Sequence, residues 1–165
     1  MIFVLILVFG GVFGFIYEEI FYRVDLGHFT KRGTTFGPWI PIYVAGAALM
    51  TIFAYRFRKR PLVVFVLSGF LCGALEYTVG YLLFHLQGVR LWDYNVEIWN
   101  WGNIDGFICF RSVMFFAISG LFLVYVVVPV LKKLASGWSK PVLSAVALIP
   151  GIAFLLDIVI SNILH

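Results

Sequence analysis

From Leu62 to Leu86 the chain runs for twenty-five residues with a single charged side chain, Glu76. A helix crossing the hydrocarbon of a bilayer needs about 20 predominantly apolar residues, so this run reads as a membrane span. Four other stretches read the same way, which places five spans at about 2–20, 39–55, 62–86, 106–130 and 141–162. The expectation is an all-α polytopic membrane protein with one transmembrane domain over 1–165. Composition agrees: 62% of residues are hydrophobic and 12% charged, against roughly 45–50% and about 25% in soluble domains. Such a chain excludes a built-in ATPase, and no G-x-x-x-x-G-K-[ST] loop is present. The first run lacks a basic leader and a small-x-small cleavage site, so it reads as a retained span and not a signal peptide.

The remaining charges are unevenly placed. Arg56, Arg58, Lys59 and Arg60 lie between spans two and three, and Lys132, Lys133 and Lys140 between four and five, with no acid in either loop. The other two loops mix signs. By the positive-inside rule the basic loops are cytoplasmic, which puts the N-terminus inside and the C-terminus outside a cell (inner) membrane. Trp39, Trp92, Trp99 and Trp101 then gather at the outer interface, as an aromatic belt does. Cys72 and Cys109 fall at different depths and are expected to be free, buried thiols.

Spans one and three share a pattern. Gly10-x-x-x-Gly14 precedes Glu18, and Gly69-x-x-x-Gly73 precedes Glu76; Arg32 and Arg90 follow those acids by fourteen residues each, so both pairs are related by an offset of 58. Either this is coincidence in a glycine-rich chain, or the protein is two parallel helical-hairpin repeats plus a fifth helix. Small-x-x-x-small patterns in membrane helices indicate close packing.

Ionisable groups within a span are costly and mark a site by default. Glu18, Glu76, Arg111 and Asp157 lie on four different spans, at depths of about 21–28 Å from the inner ends at 1.5 Å per residue. One reading gathers them into a pocket for a cation, a small polar solute or an ammonium-bearing ligand. In the other, Glu18 reaches the interface, Arg111 forms a structural ion pair with one acid, and no ligand is involved. His85 reads as an interfacial histidine, and Asn103 and Asp105 as N-cap residues of span four. No metal or cofactor motif and no catalytic triad is apparent, and nothing in the sequence demands catalysis.

The segments Gly14-Phe-Ile-Tyr-Glu18, Arg32-Gly-Thr-Thr-Phe-Gly-Pro-Trp-Ile-Pro-Ile-Tyr43, Arg90-Leu-Trp-Asp-Tyr94 and Asn103-Ile-Asp-Gly-Phe-Ile-Cys109 resemble the bacterial family catalogued as ABC-transporter permease, type IV (CmpB-like). The likeness runs from about Gly11 to Gly120. Phe84 stands where that family has a second glutamate, Val44 where it has a glycine, and about three extra residues separate Tyr94 from Asn103. The resemblance implies transport and adds Arg32, Trp92, Asp93, Tyr94 and Asn103 to Glu18 and Glu76 as candidate site residues. With Arg90, Arg111 and Asp157 these complete the substrate-binding candidates. Asp93 could equally salt-bridge Arg90 or Arg32 to pin the loops.

Three classes of function follow, one of them a non-transporting accessory protein that assembles or regulates another membrane complex. The first is a small membrane transporter or permease subunit for a cation or small polar solute, acting as a homo-oligomer or with a separate partner subunit. The alternative is an intramembrane enzyme or lipid-headgroup-binding protein at the outer leaflet, with the arginines holding phosphate. Membrane lipids are partners in every case, and nucleic acid in none.

Overall fold

The computed structural model describes residues 1–30 and 32–164; Lys31 and His165 lie outside them. The described residues form five helices: α1 (Ile2–Leu26), α2 (Pro41–Phe57), α3 (Pro61–Gln87), α4 (Phe110–Ser136) and α5 (Lys140–Leu164). Four are long and apolar enough to cross a membrane, and α2 is a shorter apolar helix that tightens to a 3₁₀ turn over Ala54–Phe57. The all-α reading and the count of five hold.

The helix ends show local chemistry overriding composition. The pair Glu18–Glu19 does not stop α1, which continues to Leu26 and ends at Gly27 with φ 76°. There the left-handed backbone favours glycine, and Arg23 donates to the Gly27 carbonyl. Pro61 opens α3 where its missing N–H costs nothing. Gly88, with φ 69°, closes α3, its N–H donating to Phe84 O at 2.9 Å while Val89 N donates to Leu83 O at 3.3 Å.

Helix α4 departs most from expectation. It begins at Phe110 and not near Gly106, because Asp105 (φ 52°) and Gly106 (φ 78°) turn the chain left-handed. Its cap is Cys109, whose N–H donates to Ser112 Oγ at 3.3 Å while that hydroxyl donates to Cys109 O at 2.9 Å. Asn103 caps the preceding turn instead, its Oδ1 accepting from Gly106 N at 2.9 Å. Nor does Pro129 end the helix. The segment Leu123–Val127 is a π turn, and this widened turn precedes a ring that would otherwise press on the carbonyl four residues earlier. Pro150 likewise lies inside α5 without ending it.

The chain divides into two compact units, residues 1–48 with 126–165 and residues 49–125. In the first, α1 packs closely on the start of α2: a Cβ at Gly10 would lie 2.5 Å from Ala47 Cβ and 3.1 Å from Tyr43 O, and one at Gly14 would lie 2.1 Å from the Tyr43 ring. In the second, α3 packs on α4 in the same way. A Cβ at Gly69 would meet Ala117 Cβ and Val113 O, both at 3.2 Å. Each first glycine thus faces a carbonyl and, four residues on, an alanine methyl of the returning helix, the close approach that small residues permit. Cys72 and Cys109 are free and buried, as expected.

Candidate functional site

The second unit holds a buried polar cluster beneath the loop joining α3 to α4. Glu76, on α3, is 6% exposed and accepts a hydrogen bond from the Tyr94 hydroxyl at 2.6 Å. The Arg111 guanidinium lies over the Tyr94 ring, 5.3 Å from its centroid, and its Nη2 donates to Glu97 Oε2 at 2.7 Å. Glu97 is 7% exposed, so this ion pair is largely removed from water. Two carboxylates, a phenol and a guanidinium therefore form one connected group within a mostly apolar unit. In a low dielectric such groups interact strongly, and leaving any of them unmatched is costly.

The loop itself is held by its own side chains. Arg90 Nη1 bonds Asp93 Oδ1 at 3.5 Å and Asp105 O at 3.0 Å, and its guanidinium lies over the Phe84 and Phe107 rings. Asp93 Oδ1 also accepts from Asn95 N (3.0 Å) and Asn95 Nδ2 (2.7 Å), while Asn103 Nδ2 donates to Asn95 Oδ1 at 2.8 Å. Tyr94 is fixed through its backbone, with N donating to Gly106 O and O accepting from Asn100 Nδ2. Trp92 Nε1 donates to Phe107 O at 3.0 Å, and the indole lies against Gly80, where a Cβ would approach it to 3.0 Å. Trp92, Asp93 and Tyr94 thus belong to a braced cap, with Tyr94 alone reaching down to the buried acid. Of the two partners open to Asp93, Arg90 is the one it takes.

The first unit handles its charges differently. Glu18 Oε2 accepts from Arg32 Nε at 3.1 Å, and the Arg32 guanidinium covers the Tyr22 ring at 3.6 Å. Asp157, 9% exposed on α5, accepts from Phe36 N (3.0 Å), Gly37 N (2.7 Å), Trp39 Nε1 (2.6 Å) and Ser161 Oγ (3.2 Å). This carboxylate ties the segment before α2 to α5, and four donors meet its charge.

Glu97 is the polar partner that sequence reasoning missed. It lies in an irregular loop, where no periodicity assigns a direction to a side chain. Its one signal is the need of Arg111 for a counter-charge. Trp39 and Ser161 were also missed as partners of Asp157; Ser161 stands four residues after it on one helix face, which is a readable spacing.

A family model described as "Putative ABC-transporter type IV" matches residues 5–162. The chain belongs to this family. The match extends beyond the 11–120 stretch that carried the resemblance and takes in α5, including Asp157. With its four long apolar helices, the chain is a membrane protein of this ABC-transporter type IV family, a transporter component by kind. No curated protein and no solved structure matches it.

Proposed function

We propose that this family member is the membrane-embedded permease component of a transporter for a cation or small polar solute, and that the Glu76–Tyr94–Arg111–Glu97 cluster is its solute site. The observation carrying this reading is the burial of two carboxylates in one connected group with a single guanidinium, Glu97 paired with Arg111 and Glu76 bonded to the Tyr94 hydroxyl. Ionised, the three groups carry a net negative charge in a place where charge is expensive, and a cation relieves it. The phenol of Tyr94 links the outer cap to Glu76 and supplies an oxygen ligand beside the carboxylate. Asp157, met by four donors, and Glu18, held by Arg32, act as structural anchors in this reading. The orientation follows the basic loops, with Arg56–Arg60 and Lys132–Lys140 on the cytoplasmic side. Five helices give few walls for alternating access, so the protein works as an oligomer or with a partner subunit.

Uptake by membrane vesicles across a panel of inorganic cations and small amines tests the reading. At least one member should be taken up by the wild type and lost in Glu76→Gln with unchanged expression. A Glu76→Gln protein that transports like the wild type, or whose loss follows only from failure to accumulate, overturns it.

A further inference from the structure

Beside the last turns of α1, within the first unit, lies a cleft of about 350 Å³. Its walls combine Phe15, Phe29 and Phe36 with Glu19, Arg32 and Thr30. Glu19 forms no hydrogen bond or ion pair with any described residue, unlike its neighbour Glu18. The Thr30 hydroxyl is buried and has no hydrogen-bond partner among the described residues. Arg32 is fixed at the cleft by Glu18 and by the Tyr22 ring. One wall therefore offers a carboxylate among aromatic rings, the combination that binds ammonium groups. Arg32 and Thr30 offer a cation and a hydroxyl, which suit phosphate.

We infer that this cleft binds a zwitterion in which an ammonium group and a phosphate are a few bonds apart, the ammonium seated against Glu19 and the Phe15 and Phe36 rings, since Arg23 already covers the Phe29 ring, and the phosphate against Arg32 and Thr30. Two sources carry that chemistry, a phospholipid headgroup and a free phosphorylated amino alcohol. The surroundings accommodate a lipid: Ile16, Ile20 and Val24, on the same stretch of α1 as Phe15 and Glu19, are exposed, 50%, 62% and 60% respectively, and offer acyl chains an apolar surface. The site shares no residue with the Glu76 cluster and stands whether or not that cluster moves a solute.

The test uses the full chain in nanodiscs. Phosphoethanolamine and phosphocholine are titrated as soluble probes in discs of phosphatidylglycerol, and lipid retained from discs containing phosphatidylethanolamine is read by native mass spectrometry. Saturable binding by the wild type that weakens about tenfold or more in Glu19→Gln, as expected when a charged partner is lost, supports the inference. Phe15→Leu should weaken it too, and carries the test if Glu19→Gln does not fold. Binding of the soluble probes alone assigns a free zwitterion; retention of phosphatidylethanolamine alone assigns a headgroup. Absence of saturable binding from both sources, or equal binding by wild type and variants, overturns the inference.

Discussion

The two glycine-faced hairpins, α1 with the start of α2 and α3 with α4, use the same packing contact and reach opposite electrostatic outcomes. Gly10 and Gly69 each meet a carbonyl and an alanine methyl of the returning helix, and these glycines are 59 residues apart. The acids Glu18 and Glu76 are 58 apart. Relative to the matched glycines, one acid is thus displaced by one residue, a rotation of about 100° around the helix. The consequence is visible in the partners. Glu18 bonds the arginine fourteen residues on, whereas Glu76 turns to Tyr94, and Arg90 goes to Asp93, Asp105 O and two aromatic rings. Equal spacing in sequence gives equal surroundings only when the packing register matches as well.

The contrast can be broken in stages. Arg111→Ala leaves Glu97 buried without its cation and should cost about 3–5 kcal/mol, read as a large fall in the unfolding midpoint in detergent. Arg32→Ala removes the ion pair of the first hairpin, whose side chains are more exposed, 19% and 16% against 14% and 5%. With the Tyr22 ring contact also lost, its cost should be about 1–2 kcal/mol; equal losses would erase the distinction. Asp157→Asn puts an amide where four donors converge, and a loss of about 2–3 kcal/mol is expected from a weakened set of charge-assisted bonds. Proteolysis of the segment before α2 should quicken along with it. Gly10→Ala and Gly69→Ala compare the packing itself. The methyl would sit 2.5 Å from its neighbour in the first case and 3.2 Å in the second, so Gly10→Ala should lose about 1–3 kcal/mol and Gly69→Ala less. The reverse order would show that the matched contacts are not equivalent.

Much of the fold was legible because a bilayer imposes length and apolarity on every span. The helix ends were less so. Composition stops α1 at its acidic pair, yet a carboxylate can sit on a helix if a partner such as Arg32 reaches it, and the end is set by the left-handed Gly27. The π turn before Pro129 leaves no mark in hydropathy. Among the site candidates, burial of Glu76 and of Asp157 followed from their positions in apolar runs. Their partners did not. Asp157 is met by two backbone N–H groups about 120 residues earlier, and backbone donors have no residue type to betray them. Glu97 lies in a loop whose course depends on left-handed turns at Trp99, Gly102, Asp105 and Gly106, two of them at residues that rarely adopt that conformation.

The central claim is that the acid of the second hairpin serves the solute and the acid of the first serves the fold. Solute uptake by Glu76→Gln and Glu18→Gln, each set beside its unfolding midpoint, tests this most directly. Glu76→Gln should abolish uptake with little change in the midpoint, while Glu18→Gln should retain uptake in proportion to the folded protein that remains. Uptake surviving in Glu76→Gln, or disappearing in a stably folded Glu18→Gln, would contradict it.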